Sequence, residues 1–243
     1  MSKPHKNNLA AQWTHAGALF NVSPAHRSPD LERLLLETAR QCPGNARLFT
    51  QAVNWLARWG SLVARHRLRR LVVEELDIHA RPVLGLLIDA AVELGAPREL
   101  RTATELCTPA TPARPLFDAY ARNPLLQQVA ESTASSLSRA WGLWAPPPEV
   151  KTDALRPLAW VVANNPIYRS RSQYKGDLRC SIIETLRYDV EGGVVDSESA
   201  LARLCAASRP AIHAALHQLE IEGRIVIAAK QPNSRKHAIS LAA

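Results

Sequence analysis

The stretch SESALARLCAASRPAIHAALHQLEIEGRI, residues 197–225, decides how the C-terminal part of this chain is read. Ser197 offers a side-chain oxygen to the first turn of a short helix that sends Leu201 and Leu204 inward. After a turn at Ala206-Ala207-Ser208, Ser208 caps a longer helix. There Ile212, Ala215, Leu216 and Leu219 recur at threes and fours and form one apolar stripe, and Glu222-Gly223 ends it. Opposite that stripe Arg209, Pro210, His213, Ala214 and His217 point outward.

Working outward, Asp177 caps a preceding helix with Leu178, Ile182 and Leu186 on one face, ending before Gly192-Gly193. Downstream, Ile225, Val226 and Ile227 read as a strand, Lys230 to Lys236 as a polar loop around Pro232-Asn233, and His237 to Leu241 as a returning strand. Three helices followed by a two-stranded hairpin is the order of a winged helix-turn-helix.

The pattern Ser197-Glu198, Leu201-Ala202, Ser208-Arg209, Ala215-Leu216, Leu219, Glu222-Gly223 and Ile225 resembles the DNA-binding domain of GntR-type and, less closely, MarR-type bacterial transcriptional regulators. Cys205-Ala206 stands where those families usually carry Leu-Gly. The resemblance implies that the helix opening at Ser208 enters the major groove, that the hairpin wing touches the backbone or minor groove, and that the protein is a dimer on a palindromic site. The residues agree with this. A Ser208 cap leaves first-turn N–H groups for a phosphate, and Arg209 stands where it reaches phosphate or a guanine edge.

Residues 177–243 hold eight basic and eight acidic side chains, with the basic ones gathered late at Arg203, Arg209, Arg224, Lys230, Arg235 and Lys236. The expected DNA-binding set is therefore Arg203, Ser208, Arg209, His213, His217, Lys230, Asn233, Ser234, Arg235 and Lys236, with Arg169, Arg171 and Lys175 upstream as further cations.

Towards the N-terminus helical signals dominate. Ser28-Pro29-Asp30 reads as a cap and first turn before Leu31, Leu34, Leu35 and Thr38, with Pro43-Gly44 as the stop. Asn45 precedes Leu48, Phe49, Ala52, Val53, Leu56 and Trp59, and the apolar stripe resumes through Leu62, Leu68, Leu71, Val72 and Leu76. Another helix starts at Pro82 and ends at Gly95. Thr108 to Pro115 and Ala145 to Pro148 are proline-rich and read as extended connectors. The expected organisation is mainly α: an N-terminal arm over 1–27, a helical bundle over 28–145 for dimerisation or for a partner or effector, a connector over 146–176, and the winged helix over 177–243.

Other features narrow the function. The chain of 243 residues carries a net charge of +8, which fits a polyanionic partner without proving one. Charged residues interrupt every apolar stretch, and Met1 to Asn8 has no apolar core behind its lysines, so neither membrane insertion nor secretion is expected and a cytoplasmic location is. Cys42, Cys107, Cys180 and Cys205 form no C-x-x-C pair and read as reduced, partly buried side chains. His213 and His217 lie four apart, but His-Ala-Ala-Leu-His lacks the acid of a zincin motif and reads as a solvent- or DNA-facing pair. The six tryptophans are expected in the core or at dimer contacts. The basic run Arg65 to Arg70 reads as the solvated face of a helix that buries Leu68, Leu71 and Val72, with a second nucleic-acid surface as the alternative. No phosphate loop, nucleophile elbow or acid pair points to catalysis, and no cofactor or metal is expected. These readings favour a homodimeric regulator of the repressor type that binds double-stranded DNA. The alternative is a protein-partner-binding module, such as an antitoxin or a component of a defence or replication assembly, in which the winged helix is secondary.

Overall fold

A computed structural model describes residues 9–151, 153–229 and 237–242. In the N-terminal part the helices are α1 (Leu9–His15), α2 (Leu31–Gln41), α3 (Ala46–Trp59), α4 (Arg65–Glu74) and α5 (Arg81–Glu93). Next come the strand β1 (Arg114–Pro115), the short helices α6 (Asp118–Ala121), α7 (Pro124–Thr133) and α8 (Ser136–Ala140), and β2 (Leu143–Trp144), which pairs in parallel with β1. Two more helices, α9 (Leu158–Asn164) and α10 (Ile167–Tyr174), lead to the C-terminal unit. That unit contains α11 (Leu178–Tyr188), β3 (Val194–Val195), α12 (Glu198–Leu204), α13 (Arg209–Ile221), β4 (Ile225–Ala229) and β5 (His237–Leu241). The protein is mainly helical, and among the described residues no helix is long and apolar enough to cross a membrane.

Two apolar clusters form. The larger joins α1 to α5 with Leu116, Phe117, Leu143, Val161 and Tyr168; the smaller joins α11, α12, α13 and the C-terminal sheet. Tryptophans centre the first cluster. Trp13 meets Trp55 edge-on at 5.5 Å and Trp55 meets Trp59 at 5.8 Å, while the Trp13 indole N–H donates to Thr38 Oγ1 and that of Trp55 to the Ala16 carbonyl. Gly85 makes room on α5 for the Trp141 ring: a Cβ there would lie 2.3 Å from it.

Several sequence expectations need correction. The segment expected as a free arm contributes α1 from residue 9 onward, because Trp13 and Leu9 are apolar enough to be drawn under α2. The first long helix is capped not by Ser28 but by Asp30, whose carboxylate accepts from the Arg33 N–H. In the connector over 146–176, α9 falls where the sequence suggests a short helical piece near Leu155 to Val162, but a second helix, α10, follows Pro166 and buries Tyr168, Arg171 and Tyr174. The C-terminal hairpin gains a third strand, giving the antiparallel order β3-β5-β4. At two residues, β3 is too short to show a period of two.

The largest departure concerns the basic run. Arg67 is fully buried, with 0% side-chain exposure, and so is not part of a solvated face. Its guanidinium reaches Asp30 Oδ1 at 2.6 Å, Glu32 Oε2 at 2.7 Å and Asp189 Oδ2 at 2.8 Å. Arg171, 1% exposed, holds the other Glu32 oxygen at 2.7 Å and Glu184 Oε2 at 2.8 Å, and donates to the Leu62 carbonyl at 2.9 Å. The Glu32 carboxylate also accepts from the Ala64 N–H. Arg33 and Arg70 close the cluster on Asp189. Arg65 donates instead to the Gly176 carbonyl, and Arg69 pairs with Glu105. The run is thus spent largely on contacts within the chain.

This cluster ties α2 and α4 to α10 and α11, and so joins the two apolar cores. Burial pushes the Asp30 carboxyl up, but the Arg67 hydrogen bond and charge, helped by Arg33, hold it below its ordinary 3.8. Asp189 behaves alike: burial opposes ionisation, and Arg67, Arg70 and Arg33 outweigh it. The cysteine thiols are buried and pushed up, to about 12 at Cys42 and about 11 at Cys107 and Cys205, chiefly by desolvation.

Arg67→Ala leaves three carboxylates facing a buried void and is expected to cost about 3–5 kcal/mol, read from urea unfolding followed by circular dichroism. Because Asp30 and Asp189 titrate below 3.8, their contribution is complete above that pH and is lost as the pH falls through their lower folded values. The thermal midpoint should therefore fall steeply below about pH 4, and Asp189→Asn should flatten that limb.

Candidate nucleic-acid interface

The C-terminal unit positions α13 through its caps and its turn. Asp177 accepts from the N–H groups of Arg179 and Cys180 and starts α11. Ser197 accepts from the Ala200 N–H at 3.2 Å and starts α12, and Ser208 accepts from the Ala211 N–H at 3.4 Å and starts α13. Between α12 and α13 the chain turns sharply at Ala206, whose φ of +48° lies in the left-handed region. A Cβ held at such an angle costs roughly 1–2 kcal/mol. Pro210 occupies the first turn of α13, where its missing N–H is no loss.

On α13 the expected division holds. Ile212, Ala215, Leu216 and Leu219 are buried in the second core, against Leu201, Ile182 and Ile225. Arg209, Pro210, His213, Ala214 and His217 are exposed, and the side chains of Arg209 and His213 each keep 72% of their accessible surface. Arg203 on α12 and Ser208 are exposed as well, so all five described members of the expected set stand at the surface of the unit. Lys230, Asn233, Ser234, Arg235 and Lys236 lie outside the described residues. The strands that flank them are paired up to Ala229 and His237.

One participant was not anticipated from the sequence. Glu198, in the first turn of α12, places one carboxylate oxygen 3.0 Å from His213 Nδ1 and the other 3.7 Å from Arg209 Nε. It stands fifteen residues from His213 in the chain, so only the packing of α12 on α13 brings them together. The outer side of α13 is therefore not purely cationic. The Glu198 carboxylate pairs with the His213 ring and lies near the Arg209 guanidinium.

Of the upstream cations, Arg169 and Lys175 are exposed, whereas Arg171 is withdrawn into the buried cluster and is unable to reach a ligand. Arg224 is exposed beside α10, where it donates to Gln173 Oε1 at 3.4 Å. Next to it the Tyr174 hydroxyl donates to Glu222, and the Arg179 guanidinium lies 4.9 Å from the Tyr174 ring. Burial and the Glu222 charge push that hydroxyl up to about 12.

Among the described residues no group of three or more His, Cys, Asp or Glu side chains is arranged to hold a metal ion. What the surface offers is a set of hydrogen-bond donors on α13 with the Glu198 carboxylate of α12 beside them and a second exposed carboxylate, Glu220, farther along α13. Comparison of the chain with protein-family models, with curated proteins and with solved structures finds no match in any of the three.

Proposed function

We propose that residues 177–243 form a winged helix-turn-helix that holds double-stranded DNA with α13 in the major groove, and that the chain works as a homodimeric transcriptional regulator of the repressor type. The observation that carries this reading is the free outer side of α13, where Arg209 and His213 stand open to solvent while the opposite side of the same helix fills the core. The element order supports it: a helix, a short strand, two helices and an antiparallel hairpin whose returning strand pairs with the short one. Arg209 in the first turn is placed for a bidentate contact to guanine, and the capped N-terminus of α13 faces a phosphate. Arg203, Arg224, Arg169 and Lys175 supply backbone contacts around it. Two copies reading half-sites about one helical turn apart would supply the affinity that one small domain lacks.

The test is a fluorescence-anisotropy titration of the full chain against duplex DNA from upstream of its own operon and a scrambled duplex, at several salt concentrations. Preference for the upstream duplex supports the reading; equal binding to both removes the sequence-specific regulator. Arg209→Ala is expected to weaken the preferred duplex by about 1–3 kcal/mol, whereas Arg235→Ala should weaken both duplexes alike and lower the salt slope by about one. Glu198→Gln frees Arg209 and His213 from a carboxylate. It should tighten binding to the scrambled duplex by up to about fivefold and reduce the discrimination between the two.

A further inference from the structure

We propose that the N-terminal unit carries a binding site for a small amphipathic organic anion, in the cleft between α3, the turn after α5 and the extended segment around Val150. The inference does not depend on the nucleic-acid reading, since it uses none of the same residues.

The site begins as a polar stripe on α3. Arg47, Gln51, Asn54 and Arg58 follow one another at intervals of four, three and four and so share one side of that helix. Asn54, nearly buried, uses its whole amide to fasten the neighbouring segment. Nδ2 donates to the Glu149 carbonyl at 2.9 Å and to the Thr50 carbonyl at 2.8 Å, and Oδ1 accepts from the Lys151 N–H at 2.8 Å. Further along, the segment is pinned again, by Leu19 N–H to the Ala154 carbonyl at 2.8 Å and Arg156 N–H to the Gly17 carbonyl at 2.7 Å. The wall of the cleft is thus fixed at both ends before any ligand arrives.

What remains inside is a cavity of about 390 Å³ lined by Asn54, Ala57, Arg58, Leu94, Gly95, Val150, Lys151 and Leu155. That volume is of the size that holds small organic ligands. The lining decides the chemistry. Ala57, Leu94, Val150 and Leu155 are apolar, and Val150 stands 64% exposed at the rim. Asn54 is spent on the backbone and Gly95 has no side chain, so the polar side chains left to recognise a ligand are Arg58 and Lys151. Both are cations. Lys151 pairs with Glu149 at 3.1 Å on the exposed rim, while Arg58 has no ion-pair partner among the described residues. An apolar body against Leu94, Val150 and Leu155, with a carboxylate or sulfonate on Arg58 and Lys151, satisfies all of them together.

The neighbouring cleft along the same stripe, about 530 Å³, has a different character. It shares Lys151 with the first cleft, but its other charged lining residues are Arg47, which already donates to the Leu19 carbonyl and lies over Phe20, and Asp153, which repels an anion. It therefore serves as the internal control.

The probe is 8-anilinonaphthalene-1-sulfonate, which joins an aromatic body to one negative charge, titrated into the full chain and followed by its fluorescence. Saturable binding at one site per chain is expected, displaced by 2-naphthoate but not by neutral 2-naphthol. Arg58→Glu should weaken it at least about tenfold, Val150→Asp similarly, and Arg47→Glu should leave it within about twofold. Arg58, Val150 and Arg47 are all surface positions, and an unchanged thermal midpoint confirms the fold of each variant. Binding that does not saturate, that survives both Arg58→Glu and Val150→Asp, or that falls equally with Arg47→Glu overturns the proposal.

Discussion

Glu32 is a carboxylate with no access to solvent, gripped by two guanidiniums that have none either, and the relation between the two halves of the molecule depends on it. Taking these charges out of water is costly, and their mutual attraction offsets that cost only where geometry and hydrogen bonding are close to complete. Here they nearly are. Both Glu32 oxygens are used twice, once by a guanidinium each and again by the Ala64 N–H or the second Arg171 nitrogen, and Arg171 adds the Leu62 carbonyl. Such a cluster does little for net stability compared with a well-packed apolar substitute, but it discriminates sharply between one arrangement of helices and any other. Each of α2, α4, α10 and α11 must be in place, or a charge is left buried and alone.

The same arrangement explains why the outer side of α13 is uncovered. The first core and the ion cluster meet the C-terminal unit through α11, the end of α10 and the turn that precedes Asp177. Gly176 is needed in that turn, because a Cβ there would lie 2.1 Å from the Val63 carbonyl. With α11 taking the contacts to the first core, α12 and α13 pack on α11, on each other and on the sheet, and their outer sides meet solvent. Glu198 then becomes informative: an acid facing Arg209 and His213 weakens indiscriminate attraction of that side to any polyanion.

The C-terminal elements were legible in the sequence because each is specified locally. Ser197, Ser208 and Asp177 are caps that act within their own first turns, and the stripe Ile212, Ala215, Leu216, Leu219 has a period that only a helix satisfies. The burial of Arg67 and Arg171 was not legible, since an arginine beside Leu68 or Tyr168 looks like a solvated face until the carboxylates that neutralise it are known. The carboxylate that both arginines share, Glu32, stands 35 residues from Arg67 and 139 from Arg171 along the chain. Glu198 escaped notice for the same reason, and β3 because two residues carry no periodicity. The tryptophans were correctly assigned to the core for Trp13, Trp55 and Trp59, whose spacing or apolar setting sufficed.

Lys175 and Gly176 both adopt left-handed backbone angles between α10 and α11, which by itself would make an obvious pivot. The pivot is locked: Arg65 grips the Gly176 carbonyl through both its backbone and its side chain, and the ion cluster clamps the helices on either side. A C-terminal unit mounted this way has no swivel. If the chain pairs through its N-terminal halves, as the proposed regulator would, the separation and angle between the two copies of α13 would be inherited from the dimer contact, and the proposed half-sites would tolerate little variation in the number of base pairs between them.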